Sequence, residues 1–159
     1  MATTEGMTAL DPAHLSVLRI RAAIMAALLV AAVGALEMIG VAGTPLPVGA
    51  ATLAAFSVAA AAALLMPRRR YRSWSYRMDE DELHISSGVW TRTRTVVPFG
   101  RVQHIDVVQG PLQRRFGVAS LVLHTAGTRS AAVLLPGLAA DDAARMRDHI
   151  RGRIREDLM

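Results

Sequence analysis

Three histidines, His84, His104 and His124, recur at intervals of twenty residues and are the first candidates for chemistry in this chain. Metal sites usually draw ligands from short, clustered spacings, with outer groups that fix each imidazole. Intervals of twenty match no such motif, and no metal is assigned to them. His84 stands on the polar side of an alternating stretch, opposite Leu83 and Ile85, and is expected to face solvent. His104 and Asp106 fall on one face of a strand and are expected to pair. The remaining catalytic patterns are missing. There is no nucleophile elbow, no glycine-rich phosphate loop opening a helix and no His-Glu-x-x-His. The chain has no Cys, which excludes thiol catalysis, disulfides and Cys-ligated zinc. Asp141 and Asp142 read as the first turn of a helix, where negative charge meets the positive end of the dipole. The expectation is a protein without enzymatic activity and without a cofactor.

Charge offers candidates for binding instead. All 18 basic residues are arginine. Past Met66 there are 16 arginines against 10 acidic residues, an excess of six positive charges. Arg68, Arg69, Arg70 and Arg72 form one cluster; Arg114 and Arg115 form a second, beside Gln113 in the segment Val108–Gly117. These seven residues are the candidate contacts for a partner or for lipid phosphates. Trp90, Arg92 and Arg94 resemble the basic, aromatic-bearing strands that bind nucleic acid. Aromatic residues make up only 4% of the chain, and no nucleic-acid partner is expected.

The elements that must position these side chains begin with two apolar runs. Ala22–Ala42 is interrupted only by Glu37, and Leu46–Met66 carries no charge. Each is about twenty residues, enough at ~1.5 Å per residue to span a hydrocarbon core of ~30 Å. Neither shows the polar stripe of a buried soluble helix. They predict a transmembrane hairpin joined by Gly43-Thr44-Pro45. Asp11-Pro12 supplies an N-cap and a first helical residue, so a helix should start there and run into the first span. A cleaved signal peptide would fit Arg19 and Arg21 before an apolar stretch, but the run is too long and the leader carries Glu5 and Asp11. Arginines flank the outer ends of both spans and none lies in the turn, which predicts that both termini face the cytoplasm. Alanine rows at every fourth position (Ala23 to Ala35, and Ala51 to Ala63) suit close packing of the two helices. Glu37 is a candidate intramembrane polar contact.

From Tyr71 onward the apolar period changes from helical to two. Strands are expected over Ser73–Met78, Leu83–Ile85, Val89–Val97, Arg101–Val108, Val118–His124 and Arg129–Leu135. An acidic turn, Asp79 to Glu82, separates the first two. Ala143, Met146, Ile150 and Ile154 then trace one stripe of a C-terminal amphipathic helix. Short strands with close turns indicate an antiparallel barrel or sandwich, with the helix over an open end. In the segment Val108–Gly117, Gly110-Pro111 breaks a strand and Leu112 and Phe116 can pin one helical turn. This stretch reads as a structural corner from which Gln113, Arg114 and Arg115 project.

The segment Val96–Gly127, with "PFGRVQ", "QGPLQRRFG" and "HTAG", resembles the membrane-anchored bacterial pleckstrin-homology (PH) family of the YdbS-like type. The likeness extends from the two spans through "WSY" to the final helix. It implies a membrane-anchored α+β protein: a two-helix transmembrane hairpin, then a PH-like antiparallel β-barrel capped by a C-terminal α-helix. On this division, residues 1–21 lead in, 22–66 form the hairpin, with spans 22–42 and 46–66, and 67–159 form the cytoplasmic PH-like domain. The resemblance implies a bacterial inner-membrane location and a binding scaffold for headgroups, peptides or protein surfaces. In phosphoinositide-binding members a basic loop between the first two strands grips phosphate. The corresponding loop here, Asp79 to Glu82, is acidic and would repel it. Two partner classes follow: a protein partner or a second copy in an envelope complex, or, as the alternative, anionic lipid headgroups held by the arginine clusters.

Overall fold

The computed structural model describes residues 6–40, 47, 49–126 and 132–156. It divides into two units, Leu15–Arg69 and Met1–His14 with Arg70–Met159.

The first unit contains most of two long helices, α1 (Pro12–Met38) and α2 (Ala50–Arg72). Asp11 caps α1, its Oδ1 accepting the Ala13 N–H at 2.7 Å, so the expected start is borne out. At 27 and 23 residues, both helices are long and apolar enough to cross a membrane. Their outward surfaces carry Met25, Leu28, Leu29, Leu53, Phe56, Val58 and Leu64, all more than half exposed. In water that would be costly; against lipid tails it is not. The expected turn Gly43-Thr44-Pro45 lies outside the described residues. α1 ends at Met38, short of the expected Ala42, and α2 opens at Ala50. Glu37 explains the local arrangement. Its carboxylate accepts the Ala51 N–H at 3.0 Å, the Thr52 N–H at 3.2 Å and the Thr52 hydroxyl. It therefore caps the N-terminus of α2 from the neighbouring helix, satisfying amides that would otherwise lack partners in a membrane. The helices are close at Gly34, where a Cβ would meet Thr52 Oγ1 at 3.6 Å, an ordinary van der Waals contact that a small side chain could also make. α2 continues through Pro67 to Arg72, so Tyr71 and Arg72, where the period was expected to change from helical to two, are helical.

Among the described residues, the second unit is built from seven strands and two shorter helices. Strands β1 (Thr8–Ala9), β2 (Ser75–Met78), β3 (Glu82–Ser87) and β4 (Thr93–Pro98) form one antiparallel sheet in that order. Strands β5 (Val102–Val108), β6 (Val118–Thr125) and β7 (Ala132–Ala139) form a second. The layout fits the expected PH-like fold. The barrel takes the form of two sheets, and among the described residues no ladder closes them into one cylinder. A 3-10 turn, Phe99–Arg101, leads from one sheet to the other, and the Phe99 N–H donates to the Asp81 carbonyl at 2.8 Å. Residues 129–131 of the last expected strand lie outside the described residues.

β1 was not visible as a strand in the sequence. It pairs Thr8 with Tyr76 and Ala9 with Ser75. The Tyr71 hydroxyl donates to the Leu10 carbonyl at 2.8 Å, and the Asp11 N–H donates to the Gly137 carbonyl at 2.8 Å. Leu10 is itself a core residue. Residues before α1 thus belong to the same packed body as the strands after α2.

The core draws on both sheets and on helix α4 (Ala140–Glu156). Leu83, Ile85, Val97 and Phe99 come from the first sheet and its exit; Leu121, Leu123, Leu135 and Leu138 come from the second. Ala143, Met146 and Ile150 of α4 are buried on this core and Ile154 packs at its margin, as the stripe predicts. At about 1.5–3 kcal/mol for each fully buried large apolar side chain, this shared core is the main stabilising term. β3 and β4 show the expected alternation. The latter begins at Thr93, though, not at the expected Val89.

Candidate functional site

Between β2 and α4 lies a pocket of about 640 Å³, lined by Tyr76 and Met78 on the strand and by Asp142, Arg145, Met146 and His149, among others, on the helix. Alternation on β2 puts Tyr76 and Met78 on one face. The helical period brings Asp142, Arg145, Met146 and His149 within a turn of one another. The floor is apolar and methionine-rich and the rim is charged. Arg145 pairs with Asp142 along the helix, and the His149 ring meets Phe99 edge-on at 6.4 Å between centroids. Burial pushes the Tyr76 hydroxyl above its ordinary range, and the carboxylates of Asp142 and Asp11 add to the shift. The phenol therefore remains a neutral donor and acceptor at physiological pH. Sequence reading located Met146 on the core stripe but not this pocket, because the pocket needs β2 and α4 side by side.

The acidic turn between β2 and β3 is closed on itself. Arg77 reaches Asp79 at 2.9 Å, and His84 Nε2 lies 2.6 Å from Glu82 and 3.2 Å from Asp79. His84, expected to be merely solvent-facing, sits between the two carboxylates and is only 24% exposed. Asp79, Glu82 and His84 are the described residues best placed to hold a cation, with candidate ligand atoms within 4.8 Å of one another. The Arg77 guanidinium already engages the Asp79 Oδ2 that His84 approaches, so the turn carries its own positive charge.

On the second sheet His104 and Asp106 pair at 2.8 Å, as expected. His124 joins them at 3.2 Å from the other carboxylate oxygen, because β5 and β6 place His104 opposite His124. Their rings lie 5.7 Å apart. An interval of twenty residues conceals this neighbour relation, which only the antiparallel register creates.

The corner after β5 is a helical turn, α3 (Pro111–Arg115). Gln113 does not project from it with the arginines. It is buried, accepting the Gly110 N–H through Oε1 at 2.9 Å and donating from Nε2 to Ser120 Oγ at 2.9 Å. A side-chain amide with both ends engaged holds the corner to β6. Arg114 and Arg115 are exposed on the turn. Arg68, Arg69, Arg70 and Arg72 are also exposed, on the last turns of α2. The two arginine groups stand on separate elements. Glu37, the remaining candidate, is engaged within its own hairpin.

A further feature escaped the sequence reading. Gly88–Arg92 is a five-residue tip between β3 and β4, since Ser87 pairs with Thr93. Gly88 has φ +119°, and a Cβ there would fall 1.8 Å from the Thr91 carbonyl oxygen. Only glycine allows this closure. Trp90 at the tip is 83% exposed.

The sequence profile of the bacterial PH domain family matches residues 17–154. The chain is 38% identical over 86 residues to UPF0699 transmembrane protein YdbS of Bacillus subtilis (strain 168), covering 54% of this chain and 52% of that protein. It is 25% identical over 82 residues to UPF0699 transmembrane protein YdbT of the same organism, covering 51% of this chain and 17% of the relative. The match spans about half the length of the first relative and a smaller part of the second. No solved structure matches the chain.

Proposed function

The chain belongs to the bacterial PH domain family, and from that premise we propose that it is a non-enzymatic, membrane-tethered module that binds a protein. Membrane association is supported by the two apolar helices and by the likeness to a transmembrane protein of Bacillus subtilis. The arginines that flank the outer ends of the hairpin support a cytoplasmic side for both termini.

The observation that carries the reading is the pocket between β2 and α4. Its volume lies within the range of about 300–1,000 Å³ common for ligand sites. Methionines at its floor adapt to varied side chains. A rim of Asp142, Arg145 and His149 can orient a polar backbone. These properties favour a short amphipathic segment of another protein, or of a second copy, over a small charged ligand.

The test is site-specific photocrosslinking of the full chain in native membranes, with the reactive group at Arg145 and a control at Val108. Protein adducts should form at Arg145 and be lost with Met78→Asp, which places a charge on the floor. Native mass spectrometry separates self-association from a second protein. Equal labelling at both positions, unaffected by Met78→Asp, would overturn the reading. Headgroup binding by the arginine clusters is the second reading, supported by the exposure of Arg114 and Arg115 on a rigid turn. Salt-sensitive binding to anionic vesicles that is lost with Arg114→Ala/Arg115→Ala would favour it.

A further inference from the structure

Trp90 is the most exposed large apolar side chain among the described residues of the unit that carries the sheets; its neighbour Val89 is 40% exposed. Leaving an indole in water forgoes one of the largest burial gains any side chain offers. The flanking charge is all of one sign. Between Glu82 and Asp106 the chain has no acidic residue, while Arg92 and Arg94 follow Trp90 closely and both are exposed. The Gly88 closure and the Ser87–Thr93 pairing hold the tip in one shape, so displaying the indole costs little ordering on contact.

We propose that the Gly88–Arg92 tip is a bilayer-contact element for anionic phospholipid. The Trp90 indole would lie at the boundary of headgroups and acyl chains, with Arg92 against lipid phosphate. Tryptophan favours that boundary because its ring is apolar and its N–H finds a polar partner. Arginine is drawn to the negative surface of the cytoplasmic leaflet. One indole and one arginine bind weakly alone. On a chain anchored in the same bilayer the contact is intramolecular, and weak affinity suffices. The occupant is lipid because aromatic and basic character coincide at a five-residue tip too small for an extended protein interface. This inference rests on the anchor and is independent of the pocket between β2 and α4.

The experiment uses the full chain in lipid nanodiscs. Trp74→Phe leaves Trp90 as the sole tryptophan, and brominated lipids serve as the quencher. In discs containing phosphatidylglycerol, Trp90 emission should shift to the blue and be quenched. In phosphatidylcholine discs, or at high salt, both effects should diminish. Arg92→Gln should lower the ratio of docked to undocked tip about fivefold. Because the chain has no cysteine, a polarity-sensitive dye on Thr91→Cys provides a second readout that leaves both tryptophans in place. Water-like emission from Trp90 and from the dye in both lipid compositions would overturn the proposal. So would burial of the tip only in native membranes, with a protein crosslinked to it.

Discussion

Strand β3 ends in two turns of opposite character. At its start, Asp79 to Glu82 gathers four acidic residues, yet Arg77 and His84 pair with Asp79 and Glu82 at 2.6 to 3.2 Å. At its end, Gly88 to Arg92 has no acidic residue, an exposed tryptophan and an arginine. The first turn pairs two of its four carboxylates, Asp79 and Glu82, with its neighbours. The second, closed at Gly88, leaves Trp90 and Arg92 exposed. Charge density alone therefore does not mark a binding loop; what matters is whether the local fold has already supplied the counter-groups.

The largest effect expected from testing this contrast comes from Gly88→Val. A Cβ 1.8 Å from the Thr91 carbonyl oxygen, at positive φ, should cost about 2–4 kcal/mol and lower the unfolding midpoint. Stability within error of the parent would show that the tip is not held as described. Neutralising the other turn with Asp79→Asn and Glu82→Gln should cost roughly 1 kcal/mol at most, because these pairs are partly exposed. The same pair of changes leaves Arg77 and His84 without their carboxylates. Retention on anionic vesicles should then rise at low salt, and no change would mean that pairing is not what separates the turns. Trp90→Ala should alter stability by less than about 0.5 kcal/mol, since the ring touches little of its own fold. A greater loss in chemical denaturation would make Trp90 a structural residue and remove the contrast.

What could be read from the sequence had local causes. The Asp11 cap, the α4 stripe and the His104–Asp106 pair depend on residues a few positions apart, and each is present. The misplaced features depend on distant partners. Val89 to Arg92 alternates like a strand, but the closure at Gly88 lifts it out of the ladder. Gln113 looks like a surface residue beside two arginines until Ser120 of β6 meets its amide. The α2 helix persists past Pro67 through a tyrosine whose hydroxyl finds the Leu10 carbonyl. The pocket lined by Tyr76 and Met146 joins residues seventy positions apart.

The bond from Tyr71 to Leu10 spans 61 positions, with the whole hairpin between its ends. β1 and Leu10 are synthesised first, yet their partners in β2 do not exist until both long helices have been made. At about 5–20 residues per second, translation alone imposes a wait of roughly 3–12 s. Both long helices are therefore synthesised before the β-domain can close around its own first strand. Closure of the sheet-bearing unit thus waits on a segment that contributes no strand to it.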